Sequence, residues 1–476
     1  MSSKYLLLCI FIICPLFLSS SICFTFDSGE EYLISPFARS HPLRRYGNNG
    51  RGYYPNNHWK SGRYQSSSFW NFARGRRSHG YWHPAGSDSI TLGWPFHSSA
   101  KANAHLGLVK VDEYGAKGDG RTDDTEAFKK AWKVACSSER GVFVVPNNGI
   151  YHLKPITFSG PCQSGFKVKI YGKIRASKDP SDYERDTTQW LVFENLDDLR
   201  VEGGGSINGN GKNWWSKSCK VDTSQPCKTA PTAVTFHNCN NLRVADLTIK
   251  DAQQMHLTFR NCENVRATNL RVIAPESSPN TDGIHVVGTQ NILIDNSLIQ
   301  TGDDCVSIVS GSRHVEATNI ECGPGHGISI GSLGADNSED YVSDVYVHGA
   351  KLSGTTNGVR IKTWQGGSGY AKNIKFQDIV MTNVTNPIII DQNYCDGEEH
   401  CHEQGSAVQV SNVVYQNIRG TSATEIAMKF DCSKTHPCQE ISLRGINLRT
   451  QLRDKAEASC VNVELQDERM VSPNCP

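Results

Sequence analysis

The residues of this chain with the types and spacing to do chemistry are three carboxylates, one imidazole and two cations. Asp282 lies in NTDGI (280–284), Asp303 and Asp304 in GDDC (302–305), His326 in GHGISIGSLG (325–334), and Arg360 and Lys362 in RIK (360–362). The three acids fall in a stretch otherwise built of Ile, Val and Leu, which reads as buried strand. Carboxylates gathered there repel one another, so at least one is driven to keep its proton to unusually high pH. A structural role would avoid that, whereas an acid catalyst exploits it. Arg360 and Lys362 are two positions apart on a strand and face the same way. Taken singly, each residue has a plainer reading. Asp in TDG or GDD is a common turn residue, and Arg-Ile-Lys is an ordinary solvated strand face. Their recurrence at one interval favours the chemical reading.

That interval comes from a repeat. Asp282 and Asp303 are 21 residues apart, and Asp304 and His326 are 22 apart. The runs NNLRVADLTI (240–249), ENVRATNLRV (263–272), QNILIDNSLI (290–299), RHVEATNIEC (313–322), SDVYVHGAKL (343–352), KNIKFQDIVM (372–381) and SNVVYQNIRG (411–420) share one pattern. Each has a polar residue, an apolar pair, a polar interruption and a second apolar stretch. Repeats of this length without helices argue for a solenoid of strand coils. The expected fold is all-β, a right-handed parallel β-helix. Strands of neighbouring coils lie about 4.8 Å apart, so the acids, the imidazole and the cations line one groove. Adjacent residues of a flat strand face opposite sides, so Asp303 and Asp304 share the groove only if the chain bends, and Gly302 permits a bend. One short helix, Thr125 to Cys136, caps the N-terminal end, with Phe128, Ala131, Trp132 and Ala135 at helical spacing and Asp123, Asp124 and Thr125 before them.

The rest of the sequence sets the context. Lys and Arg number 49 against 48 Asp and Glu, so no global charge argues for nucleic acid. Residues 1–23 have the anatomy of a secretory signal: Lys4, an apolar run from Tyr5 to Leu18, then small residues. No later segment is apolar enough to span a bilayer, so a soluble, secreted protein is expected, with no membrane partner after signal removal. Residues 24–108 are rich in Arg, Ser, Gly and aromatics and read as a disordered or pro-segment, or as a basic aromatic tether. The folded domain is expected over 109–476. Of 17 cysteines, Cys9, Cys14 and Cys23 leave with the signal, and fourteen remain for an oxidising compartment. Cys219 to Cys227, Cys395 to Cys401, Cys432 to Cys438 and Cys460 to Cys475 read as local staples, and Cys239 and Cys262 as stacked thiols or a bridge. No cysteine or histidine spacing suggests a metal, and no cofactor is implied. Asn383-Val384-Thr385 is a glycosylation sequon.

Together, NTDGI, GDDC, GHGISIGSLG and RIK resemble the four signature blocks of the polygalacturonases of glycoside hydrolase family 28, nearest to the plant members. The resemblance runs from about Val109 to the C-terminus. It implies hydrolysis of α-1,4-linked galacturonan (de-esterified homogalacturonan) with inversion, by an extracellular, monomeric cell-wall enzyme. Asp303 is then the general acid, and Asp282 and Asp304 hold and deprotonate the attacking water. His326 tunes the acid, Arg360 and Lys362 bind the uronate carboxylate, and Tyr394 and Asn280 contact substrate. Inversion calls for acid and base carboxyls roughly 6.5–9.5 Å apart, and Asp303 must stay protonated, its pKa raised by its neighbours. Endo and exo cleavage are not separable by sequence. A rhamnogalacturonan hydrolase is the nearest alternative and is expected to lack the RIK pair. A pectate lyase would use calcium and an Arg base, unlike GDDC with His326. A non-catalytic pectin-binding wall protein would gain nothing from three intact carboxylates.

Overall fold

Each coil of the chain lays down one strand on one face and, over most of its length, two on the rest of its circumference. The computed structural model describes residues 107–183, 188–221, 224, 229–395 and 403–476. The expected signal over residues 1–23 and most of the expected segment 24–108 lie outside the described residues. Eleven strands stack in chain order into one parallel face. They are β1 (Ile156–Ser159), β2 (Gln189–Glu194), β3 (Thr232–His237), β4 (Leu257–Arg260), β5 (Ile284–Val287), β6 (Val306–Ile308), β7 (Ile328–Leu333), β8 (Asn357–Trp364), β9 (Asn386–Tyr394), β10 (Ile426–Asp431) and β11 (Glu457–Val461). The remaining sheet holds 22 strands, and the seven sequence repeats fall on it. The fold is the right-handed parallel β-helix.

Register explains the alternation. Ile284, Val306, Ile328 and Val359 pair in line, as do Val286, Ile308, Ile330 and Ile361, and all eight are buried. Each coil hides its inward residues only against the next, so the core is a set of ladders rather than a centre. Phe158, Phe193, Phe236 and Phe259 stack the same way, with centroids 5.0, 5.0 and 5.6 Å apart. Outward asparagines stand at or just before the strand starts, where the backbone turns left-handed. Asn241, Asn264 and Asn291 sit at φ of 52°, 56° and 56°, which Asn tolerates better than other residues with a Cβ. Asn291 donates to Asn264, and Asn264 to Asn241, from coil to coil.

The expected helix is present as α1 (Thr125–Ser137). Its N-cap is unlike the expected one: Asp124 accepts from the Lys117 and Gly118 backbone instead, while Asp123 accepts from the Thr125 N–H. Trp132 closes the first coils by packing against Phe143, Phe158, Phe166 and Phe193. Cys432–Cys438 and Cys460–Cys475 are bonded as expected, and Cys136–Cys162 and Cys305–Cys322 are two bridges the sequence reading did not find. Cys219 and Cys395 are also disulfide-bonded, and their expected partners, Cys227 and Cys401, lie outside the described residues. Cys239 and Cys262 remain free, buried thiols. Asn383 is exposed near the end of the strand Ser368–Val384. Among the described residues, no helix is long and apolar enough to cross a membrane.

Candidate active site

The middle of the eleven-stranded face carries an outward polar row in place of the usual mixture. His285, Ser307, Ser329 and Arg360 pair in register on β5 to β8, each between two inward aliphatics. Asp282, Asp304 and His326 each stand three residues before a member of that row, so they are equivalents in successive coils. Asp303 is the extra acid. It enters through a bend at 302–304, where Gly302 approaches the Ser278 carbonyl so closely that a Cβ would lie 2.0 Å from it. The expected bend therefore exists, and the glycine is required by contact rather than by its φ.

The three carboxylates are buried, Asp282 at 8%, Asp303 at 4% and Asp304 at 2% exposure. One oxygen from each lies within 4.8 Å of the others. These are the nearest oxygens, and the reason for their closeness is geometric. Acids placed on neighbouring coils inherit the strand spacing of about 4.8 Å. Oxygens this far apart can be bridged by one water at ordinary hydrogen-bond lengths.

Each acid has its own surroundings. Asp304 is engaged on both oxygens: Ser329 and Arg360 donate to Oδ1 at 2.6 and 2.8 Å, and Lys362 donates to Oδ2 at 3.3 Å. Asp303 accepts its own neighbour's backbone N–H on Oδ1 at 2.7 Å, and His326 Nδ1 lies 3.1 Å from the same oxygen. Asp282 accepts from the Ser307 hydroxyl on Oδ2 at 2.7 Å. Among the described residues, Asp303 Oδ2 and Asp282 Oδ1 have no partner, so two of the three acids keep an oxygen for other work.

Proton affinity divides them further. Burial raises Asp282 well above the ordinary carboxyl range, and the charges of Asp303 and Asp304 raise it more. Burial also raises Asp303, but His326, through charge and hydrogen bond, with Lys362 and the Asp304 N–H, brings it down to about 2. Without substrate the cluster's proton therefore rests on Asp282, contrary to the expectation that Asp303 carries it. The cause is the imidazole, which answers the charge of Asp303 directly.

Arg360 and Lys362 are 6% exposed and bound to Asp304, so they belong to the acid cluster as well as to the groove. Tyr394 ends β9 with its ring centroid 5.3 Å from Lys362 Nζ and edge-on to Trp364. Asn280, half-buried at φ 54°, lines a cleft of about 180 Å³ with Trp214, Trp215, Gln253 and Gln254. Three neighbouring carboxylates suit a metal in principle. Here the protein's own Arg360 and Lys362 engage both oxygens of Asp304, so the donor set is already answered by cations. Ser307, Ser329, His285 and His256 were missed by the sequence reading. His256 is fully buried, and its ring and backbone nitrogens both reach the Asp282 carbonyl, at 3.0 and 2.8 Å.

Three buried acids gathered on the outer face of a right-handed parallel β-helix form a candidate acid–base site. The glycosyl hydrolases family 28 model matches residues 136–472. The chain belongs to that family and is a glycoside hydrolase. It is 60% identical over 368 residues to polygalacturonase QRT2 of Arabidopsis thaliana, covering 77% of this chain and 83% of that one. It is 62% identical over 356 residues to a polygalacturonase of Persea americana, covering 75% and 77%. The endo-xylogalacturonan hydrolase of Aspergillus tubingensis has the same fold, with a TM-score of 0.66 at 23% identity over 78% of this chain and 98% of that one.

Proposed function

We propose that the enzyme hydrolyses α-1,4-linked galacturonan with inversion, cutting within the polymer, as a secreted, monomeric protein that remodels pectin in the cell wall. The observation that carries this reading is the placement of two buried cations, Arg360 and Lys362, on the same groove face as the three acids. Lys has three donors and Arg five, so each can bind a uronate carboxylate while keeping Asp304. Asp303 donates its proton to the leaving oxygen through Oδ2. Asp282 and Asp304 hold the attacking water, and Asp282, with Oδ1 unengaged, takes its proton. A bound uronate neutralises Lys362 and adds negative charge beside Asp303, which raises the acid's proton affinity when a proton is needed. Tyr394 and Asn280 flank the sugar. A domain over 109–476 suffices for this chemistry.

The stereochemical alternative, retention, calls for a nucleophile and its acid roughly 5–5.5 Å apart. The test is incubation with unesterified polygalacturonate, following reducing ends, viscosity, unsaturated product and the anomer first released, beside an Asp303→Asn control. Reducing ends without unsaturated product, lost in the control, are expected, with an early fall in viscosity and the inverted anomer. A retained anomer would replace the water-activating role of Asp282 by a nucleophilic one. Slow loss of viscosity would mean exo cleavage, and preference for rhamnogalacturonan would move the substrate. Binding without cleavage would leave a pectin-binding wall protein.

A further inference from the structure

Ser307 and His285 stand directly behind Asp282, in register on adjacent strands β6 and β5. Ser307 Oγ donates to Asp282 Oδ2 at 2.7 Å, and His285 Nδ1 lies 2.7 Å from Ser307 Oγ. A hydroxyl has one hydrogen. While Asp282 is ionised, that hydrogen belongs to the carboxylate, so the ring must donate. The chain therefore runs from Nδ1–H to Oγ–H to Oδ2, with the ring nitrogen itself 4.0 Å from Asp282 Oδ2 and outside direct contact.

We propose that Ser307 and His285 are positioning residues, which turn Asp282 so that Oδ1 meets the attacking water and which favour its ionised form. The proposal rests on the reading of Asp282 as the base. Three features support it. Ser307 is 2% exposed and the His285 side chain 15%, so bulk water competes little for these bonds. Burial and the Arg260 charge bring His285 down to about 4, so the imidazole stays neutral over most of the acid range, and its Nδ1 proton is fixed by the hydroxyl. Asp282 is otherwise pushed toward its neutral form by burial and by the charges of Asp303 and Asp304, and the Ser307 bond and the Lys362 charge oppose that push. The charged groups around His285 are Arg260, Asp304 and Lys362, with Asp282 reached through the hydroxyl.

The experiment compares wild type with Ser307→Ala, His285→Leu and His285→Asn in two independent readouts. The first is the pH profile of kcat/KM on polygalacturonate. Losing one charge-assisted donor is expected to move the acid limb of Ser307→Ala and His285→Leu upward by up to about one pH unit and to lower kcat about tenfold, with KM little changed. The Asn variant, whose amide N–H lies near the former Nδ1–H, is expected to recover most of the loss. The second readout needs no turnover. If Ser307 lowers the proton affinity of Asp282, the stability gap between wild type and Ser307→Ala widens as pH rises through the raised value of Asp282 and is flat in an Asp282→Asn background. A pH-independent gap in both backgrounds, or unshifted limbs in both single variants, overturns the proposal. A pH-dependent gap in a wild type that cleaves nothing would leave the chain intact and instead overturn the assignment of Asp282 as base.

Discussion

Arg360 donates to Asp304 Oδ1 across 2.8 Å with 7% and 2% of the two side chains exposed. A charge pair this deep is held by its surroundings as much as by itself. Ser329 bridges it, donating to the same Oδ1 at 2.6 Å while accepting from Arg360 Nε at 3.0 Å. Removing one partner strands the other, which typically costs about 3–5 kcal/mol, whereas removing both charges is far milder. Arg360→Met is expected to fall at the low end of that range in denaturant unfolding, because Ser329 and Lys362 still hold Asp304, and the double variant with Asp304→Asn to recover only part of it, because the buried Lys362 then loses its carboxylate. Both are expected to be inactive. A double variant as unstable as the single would show that the pair is not the source of the loss.

Asp282 and Asp303 are expected to give stability opposite slopes with pH. Asp282 is raised in the folded state, so the native protein binds the proton more tightly than the unfolded chain. Its stability is then fully present below the unfolded value and is lost as pH rises through the raised one. Asp303 is lowered to about 2, so its contribution is present above the unfolded value and is lost as pH falls through about 2. Asp282→Asn should therefore stabilise the protein near neutral pH and gain little at about pH 4, while Asp303→Asn should destabilise it at neutral pH. Thermal unfolding at both pH values measures this. Destabilisation by Asp282→Asn at neutral pH would count against the repulsive cluster.

The coil and the acids were legible in sequence for different reasons. Runs such as QNILIDNSLI alternate cleanly because their strands, Gln290–Asp295 and Leu298–Gln300, have one buried and one exposed side. The strands bearing the site are mostly buried on both sides, so they carry little alternation. A signal was present even so: I-H-V, V-S-I, I-S-I and V-R-I recur at 284–286, 306–308, 328–330 and 359–361, each a polar residue between aliphatics. Aligning those triplets finds Ser307, Ser329 and His285, and shows that Asp282 answers to Asp304 rather than to Asp303. The proton's location was not legible. It depends on the 3.1 Å approach of His326 to Asp303, which spacing cannot supply.

Gly302 fixes where Asp303 enters. Its N–H donates to Thr281 Oγ1 at 3.0 Å, and a Cβ would meet the Ser278 carbonyl at 2.0 Å. An added methyl has no flexible side chain to push aside, only backbone, so the bend itself must move. Misplacement of a catalytic group by about 1 Å can cost on the order of a hundredfold in rate. Gly302→Ala is expected to lose kcat on that scale and to unfold at lower temperature. Near-normal kcat would mean that the bend tolerates the shift without moving Asp303.

The cluster should hold its proton to higher pH when substrate binds. In the free enzyme it rests on Asp282, and Asp303 is held down by His326 and, in part, by Lys362. A uronate carboxylate against Lys362 cancels that contribution and adds a negative charge, and both changes raise the proton affinity of the whole cluster. The alkaline limb of kcat/KM reports the free enzyme, and that of kcat reports the complex. With a de-esterified oligogalacturonide the limb in kcat is expected at higher pH than the limb in kcat/KM, by about one unit if one neighbouring charge is altered. With a methyl-esterified substrate, which brings no charge to Lys362, the two limbs should nearly coincide. Coincident limbs for the charged substrate would mean that the acid is set by the protein alone, and that Lys362 acts on Asp304 rather than on the incoming uronate.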